Sequence, residues 1–367
     1  MNETRSRYPQ VEIDLEKLQE NLAALQKRCQ ASCIRLSGIV KGFAALPEAV
    51  CIYEQAGLDS IGSSRLEQLK RLRQAGIQTP LMMIRIPMLS EADELVEWAD
   101  ISLQSEISVL RAVNEAAARA GKRHRVILMA DLGDLREGFW DREELVSAAL
   151  EVERELSHLE LMGVGTNLGC YGSVLATPEK MEELVSIAEA VEAAIGRRLE
   201  VISGGSSSSL HMLLDGSMPK RINHLRVGEM LLLGCVWGCD LPELHKDVFT
   251  LRAEVVEVKV KPSHPVGELT VDAFGRTRTY VDRGHRRRAI LAMGRVDYGE
   301  CEDLRPRAPG LIILGASSDH TLVDVQNLDM PVRVGDVLEF GLCYATMVYL
   351  TGSESVHIIC RHADGNI

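Results

Sequence analysis

Lys41 closes an apolar run, Gly38-Ile39-Val40-Lys41-Gly42. An amine emerging from such a run loses water, which disfavours the ammonium form, and a neutral amine can condense with an aldehyde. The plainer reading is a lysine whose stem covers apolar surface while its head reaches solvent. Further on stands Ser203-Gly204-Gly205-Ser206-Ser207-Ser208-Ser209. Its glycines let a ligand approach the backbone, its hydroxyls donate, and a helix beginning there offers unpaired N–H groups. That combination suits a phosphate, although a flexible serine-rich loop has the same composition. Arg226-Val227-Gly228 adds a fixed cation, and Asp131-Leu132-Gly133-Asp134-Leu135-Arg136-Glu137-Gly138 adds another in Arg136, a residue type more often found in a surface ion pair.

These residues need a frame that brings their ends together. From residue 34 the chain alternates short apolar runs with amphipathic ones, and eight strands are expected at 34–40, 59–62, 81–86, 101–103, 125–130, 161–165, 200–203 and 225–233. Helices are expected at 46–57, 65–75, 90–99, 105–120, 141–156, 178–195 and 208–214. Eight parallel strands buried on both faces close most economically as a (β/α)8 TIM barrel, with chemistry at the strand C-termini. A doubly wound sheet would want a glycine fingerprint at its first turn, which is missing. Beyond Cys239 the texture becomes alternating, with strands expected at 249–261, 289–293, 311–314, 332–340 and 357–360 between turn residues. The expected organisation is an α/β barrel over residues 1–238 followed by an all-β domain over 239–367. Arg286-Arg287-Arg288 reads as a solvated turn, with a phosphate patch as the minor alternative, and the four arginines Arg283, Arg286, Arg287 and Arg288 together could also bind a substrate carboxylate.

Composition limits the partners. The 367 residues are 46% hydrophobic and 26% charged, enough for large cores. With 41 basic and 53 acidic residues the net charge is −12, which argues against nucleic acid and against an anionic membrane. No apolar run approaches the roughly 20 residues of a membrane span, and the opening Met1 to Leu15 lacks the apolar core of a secretion signal. Nine cysteines without a CxxC pair read as free thiols in a reducing compartment, with no metal site. The chain therefore reads as a soluble cytoplasmic enzyme.

The motifs together resemble the fold-type III pyridoxal phosphate enzymes, the alanine racemase superfamily, and within it the ornithine racemase-like branch. The resemblance runs over nearly the whole chain. Val40-Lys41 is similar to the lysine motif that binds pyridoxal 5'-phosphate. Asp131 to Gly138 resembles a segment whose arginine, here Arg136, bonds near the cofactor's phenolic oxygen. Thr166-Asn167 resembles a threonine–histidine pair, with Asn167 in the histidine's place. Ser206-Ser207 resembles an asparagine–serine pair, which makes Ser207 a phosphate ligand. Arg226-Val227-Gly228 resembles a motif whose arginine faces the pyridine nitrogen and whose glycine amide binds phosphate. Glu229 directly follows it and joins the expected cofactor set.

The resemblance implies an amino-acid racemase, an isomerase that moves the Cα proton between two faces. Lys41 serves one face, and a homodimer's partner supplies the other from its β domain. Arg226 favours this outcome, since a permanent cation at the pyridine nitrogen keeps that nitrogen unprotonated and weakens the electron sink. Met293-Gly294-Arg295-Val296-Asp297 resembles the segment bearing a catalytic tyrosine, but the tyrosine's position holds Arg295, whose guanidinium cannot act as an ordinary base. Asp297, Asp319 and His320 are the candidates for the second base. Gly315 to His320 resembles a substrate-facing segment, in which Asp319 would pair with a distal ammonium and so favour ornithine or lysine. Arg295 and Asp319 are expected to touch substrate, and Arg85, Asn167, Cys170 and Tyr171 to shape the pocket. The alternatives are a diamino-acid decarboxylase and a pyridoxal phosphate carrier without turnover.

Overall fold

A computed structural model describes residues 7–236 and 239–362, so the expected boundary at Gly238 lies outside the described residues. The chain opens with β1 (Gln10–Asp14) and α1 (Leu15–Ala31). There follow β2 (Arg35–Ile39), α2 (Pro47–Gln55), β3 (Ser60–Ser63), α3 (Leu66–Gln74), β4 (Leu81–Met83), α4 (Ala92–Trp98), β5 (Ile101–Gln104) and α5 (Ile107–Ala120). Next come β6 (His124–Met129), α6 (Arg142–Arg154), β7 (Leu159–Gly165), α7 (Pro178–Ile195), β8 (Val201–Ser203), α8 (Leu210–Leu214), β9 (His224–Val227) and α9 (Glu229–Leu233). Strands β2 to β9 form a closed barrel in sequence order, and every adjacent pair is parallel.

Local chemistry explains the helix limits. Asp141 accepts the Glu144 N–H at 2.9 Å to cap α6, and Thr177 with Pro178 opens α7. Gly121 and Gly196, both left-handed, close α5 and α7. Inside the barrel Met82, Ile101, Leu103, Ile127, Met129, Met162 and Val201 form one buried cluster. Gly163 lies where β7 approaches β8 so closely that a Cβ would meet the Val201 carbonyl oxygen at 1.8 Å. Only glycine leaves that spacing intact.

Two stretches of the barrel unit differ from the sequence expectation. The strand expected at 225–233 stops at Val227, and Glu229–Leu233 is a helix. The four residues Met230 to Leu233 are all apolar, and so short an apolar run carries no periodicity to separate strand from buried helix. Helix α1 was not anticipated either. It is held by Asn21, whose amide donates to the carbonyls of Leu231 (3.0 Å) and His245 (2.9 Å).

The second compact unit comprises the segment up to Glu16 together with Asp247–Ile367, while the first spans Lys17–Lys246. The change of texture read at Cys239 thus falls a few residues before the change of unit, because Cys235–Val236 (β10) and Cys239–Asp240 (β11) form a small hairpin first. The second unit is built on β12 (Phe249–Pro262), β13 (His285–Leu291), β14 (Arg305–Pro306), β15 (Ile312–Ala316), β16 (Thr321–Asp324), β17 (Val337–Gly341) and β18 (His357–Arg361). The sheet order is β14-β17-β12-β13-β16-β15, and β1 joins it, antiparallel to β12 and parallel to β18. Leu251, Ala253 and Val255 alternate inward along β12 until the register shifts between Val255 and Glu257.

Two helices that the sequence reading did not include, α10 (Arg295–Tyr298) and α11 (Tyr344–Gly352), lie between the strands expected in this unit. The basic run Arg286 to Arg288 is strand rather than turn. Its main chain pairs with β12 and β16, while Arg286 grips the buried Asp324 and Arg287 donates to the Val332 carbonyl at 2.7 Å. No helix among the described residues is long and apolar enough to cross a membrane.

Candidate active site

The barrel's C-terminal rim gathers the barrel residues that the sequence singled out. Lys41 follows β2 by two residues and opens a short 3-10 turn, with the left-handed Ala44 behind it. It is half-buried. Burial and the cations of Arg136 and Arg226 depress its pKa, against opposing pulls from Cys170 and Glu137. The neutral amine is therefore more accessible here than for a lysine in water.

Arg226, at 4% exposure, projects from β9. One of its guanidinium nitrogens donates to Ser203 Oγ and the other to the Thr166 carbonyl at 2.7 Å. Burial brings its pKa down to about 10, with Glu137 opposing and Arg136 adding to the shift, so it remains a cation at neutral pH. The serine loop lies alongside. Gly205, at φ +106°, accepts the Arg226 N–H at 2.9 Å, and Ser208 ties the loop to the Leu168 carbonyl at 2.8 Å. The Ser207 hydroxyl accepts the Met230 N–H at 3.3 Å. At Gly228 a Cβ would meet the Ile39 carbonyl oxygen at 3.0 Å, so the absence of a side chain brings the end of β9 against the strand that carries Lys41. Glu229, half-buried, senses Lys41, and burial raises its pKa.

The Asp131 to Gly138 segment is a tight turn whose first carboxylate accepts the Gly133 (2.9 Å) and Leu135 (3.1 Å) N–H groups. Arg136 is exposed and chelated by its neighbour, with Nε to Glu137 Oε2 at 2.5 Å and Nη2 to Oε1 at 2.7 Å. Glu137, which sequence reasoning did not select, has its pKa raised by burial against the pulls of Arg136, Arg226 and Lys41. Asp134 was also missed. It is buried and accepts N–H groups of Gly169, Cys170 and Val174, fastening the loop after β7. Although burial opposes it, the backbone amides of Val174, Cys170, Gly172 and Tyr171 hold its carboxyl below the usual range. No spacing rule marks either residue, since both depend on loop shape.

Asn167 stands two residues beyond β7 at the same rim, half-buried, and Cys170 and Tyr171 are exposed. Arg85 is committed to Glu91 and to the Ser64 and Ile86 carbonyls. Among the described residues no group of histidines, cysteines and carboxylates could hold a metal ion.

In the second unit the two expected segments are neighbours. The N–H groups of Arg295 and Val296 donate to the Ser317 (3.0 Å) and Ser318 (3.1 Å) carbonyls. A Cβ on Gly294 would strike the Ser318 oxygen at 2.1 Å, so glycine is required for that approach. Arg295, 7% exposed, is engaged by Glu300 at 2.6 Å and lies over the Phe274 ring at 4.9 Å. Asp297 is buried as a cap, accepting from Gly294 N–H at 2.9 Å and Ser353 Oγ at 3.3 Å. Asp319 and His320 are exposed on the turn between β15 and β16, with Ser318 Oγ donating to Asp319 at 2.5 Å. The backbone of His320 is held by Ser317, leaving its ring at the surface.

Two histidines buried in the barrel make an expected pH signature. His224 bonds Ser203 and Ser37, and burial, helped by the cations of Arg226 and Arg35, brings it down to about 3. His124 bonds Ser102, and burial brings it to about 4. The unfolded chain protonates both near pH 6.5, so between there and pH 4 it binds more protons than the folded chain. Stability therefore falls as pH drops, by up to about 1.4 kcal/mol per pH unit for each histidine. Urea midpoints at pH 7, 6 and 5 should decline progressively, and a flat series would contradict these histidines being held neutral.

Residues 13–235 match the family described as alanine racemase, N-terminal domain. The chain is 39% identical over 353 residues to an ornithine racemase of Acetoanaerobium sticklandii, covering 96% of this chain and 98% of that one. It is 36% identical to a lysine racemase of Thermotoga maritima, covering 93% and 95%. An alanine racemase structure from Clostridium difficile superposes with a TM-score of 0.75 at 17% identity, over 98% of this chain and 97% of that one, and shares its fold. The chain belongs to the alanine racemase family.

Proposed function

We propose that this chain is a pyridoxal phosphate-dependent racemase of a basic diamino acid, ornithine or lysine, working in the cytoplasm as a homodimer. The observation that carries the reading is the half-buried Lys41 amine, its pKa depressed, beside a buried Arg226 and a serine–glycine cradle. The donor set fits the cofactor: Ser206, Ser207 and the Gly228 amide for its phosphate, Arg226 for its ring nitrogen, Arg136 and Asn167 for its phenolic side, and Glu229 beside Lys41. When bound, pyridoxal phosphate supplies an aldehyde for amine exchange and a ring that withdraws electrons from the substrate Cα.

The chain's own residues do the rest. Lys41, as a neutral amine, takes or returns the Cα proton on one face. Arg226 stays cationic and discourages protonation of the ring nitrogen, which suits a brief, tightly held carbanion. Asp319 and His320, from the partner subunit's sheet unit, serve the other face and the distal ammonium, with Arg295 near the substrate. The names of the two relatives support the choice of a basic substrate.

The assay is direct. With pyridoxal phosphate and either enantiomer of ornithine or lysine in heavy water, the expected result is a mixture of both enantiomers carrying deuterium at Cα. Carbon dioxide and a diamine would instead make it a decarboxylase. Cofactor binding without any Cα exchange would make it a carrier, a role for which a second folded unit is superfluous. Sedimentation should give twice the chain mass.

A further inference from the structure

A line of buried polar side chains runs from Arg226 into the barrel interior, and nothing in the chemistry above uses most of it. Arg226 donates to Ser203 Oγ. Ser203 Oγ lies 2.8 Å from His224 Nδ1. The other ring nitrogen, Nε2, is 2.7 Å from Ser37 Oγ, which is 2.6 Å from Ser60 Oγ. All five residues are buried. A guanidinium can only donate, so one end of the line has a fixed direction.

From that end each hydrogen has one place to go. Ser203 accepts from Arg226, and its own hydrogen has His224 Nδ1 as its acceptor; any other arrangement leaves a buried hydroxyl without one. Nδ1 therefore carries no proton, and the neutral ring bears its hydrogen on Nε2, directed at Ser37. The charges around the ring agree with this. The Asp59 carboxylate lies 3.8 Å from Nε2, on the side where an N–H is favoured, while Arg226 and Arg35 are the cations that oppose a second proton.

We propose that His224 is a positioning residue. Its Nδ1 lone pair holds Ser203, Ser203 holds one arm of the Arg226 guanidinium, and the Thr166 carbonyl holds the other. The guanidinium plane is thereby fixed on both sides, as a cation that would meet the cofactor's ring nitrogen requires. The inference rests on the proposed cofactor reading for its consequence, but the tautomer it requires is a property of the protein alone.

The experiment separates the two. On the full chain, selectively 15N-histidine-labelled and measured with and without pyridoxal phosphate, His224 is expected as the Nε2–H tautomer, assigned by loss of its signal in His224→Asn. The Nδ1–H tautomer or an imidazolium would overturn the proposal, whatever the cofactor does. Asparagine keeps an acceptor near the Nδ1 position, whereas leucine and glutamine do not. His224→Leu and His224→Gln should lower kcat roughly tenfold with KM nearly unchanged, as supporting contacts to a reactive group do, and His224→Asn should restore most of that loss. The pH titration of the bound vitamer's visible band should shift in the same two variants and return in His224→Asn. Ser203→Ala, which cuts the line at its other joint, should reproduce the His224→Leu values, and the double variant should be no worse than either. If His224→Asn and His224→Leu behave alike while wild type racemises normally, the positioning role is wrong and the racemase reading stands. If wild type binds no vitamer but shows the expected tautomer, the racemase reading is wrong and the hydrogen-bond order stands.

Discussion

Lys41→Ala should remove the visible absorbance of the lysine-bound vitamer and cut racemisation by about a thousandfold or more, within the range a positioned acid–base side chain contributes. Two losses combine. On the proposed mechanism, the amine that would condense with the aldehyde is gone, and so is the group that would handle the proton on its face of Cα. The fold should survive, because Lys41 follows β2 in a half-exposed turn and its side chain fills no core position. Far-ultraviolet circular dichroism and thermal unfolding should match wild type. Deuterium incorporation at Cα is the decisive readout. A Lys41→Ala protein that still exchanges both enantiomers at the normal rate would remove the basis of the proposed mechanism.

The second large effect is expected on the opposite face. Arg295 is occupied by Glu300 and the Phe274 ring, and Asp297 caps a short helix, which leaves Asp319 and His320 as the exposed candidates. Removing the true second base should stop interconversion, by about a hundredfold or more. One enantiomer should still exchange its α-proton with solvent, because in the proposed mechanism Lys41 would take that proton and return a deuteron to the same face. Asp319→Asn and His320→Gln are the variants to compare. One-sided exchange in His320→Gln with a raised KM for ornithine in Asp319→Asn would give the base to the imidazole and the distal ammonium to the carboxylate. Symmetric exchange with full interconversion in both would exclude this turn from the reaction. Asp297→Asn serves as the contrast: it weakens a cap and should act on stability, by about 1 kcal/mol, rather than on the symmetry of exchange.

The barrel was legible because its strands are short apolar runs separated by helices with strong ends, such as Thr177-Pro178 and Gly196 around α7. The rim residues followed from position, since Lys41, Arg226 and the serine loop each stand at a strand's C-terminal end. What the sequence did not disclose depends on long-range contact. The apolar stretch after Gly228 turns into a helix, which its own residues could not signal. The arginines at 286–288 look like surface until Asp324 and the Val332 carbonyl are brought to them across the sheet. Asp134 and Glu137 acquire their surroundings only when the loops after β6 and β7 close on each other. The resemblance carried the individual cofactor roles, which periodicity alone could not assign.

Strand β1 has a consequence for how the chain is made. It precedes every barrel strand in the chain, yet both of its sheet neighbours, β12 and β18, are synthesised only after the entire barrel. The barrel can assemble as soon as its own last strand is available, whereas Val11 and Ile13 must wait, uncovered, for strands made after it. During translation β1 is thus a strand without its sheet partners until the barrel's own strands have all been made. A bulky fusion placed just ahead of Gln10 would burden closure of the late-folding sheet and leave the early-folding barrel untouched.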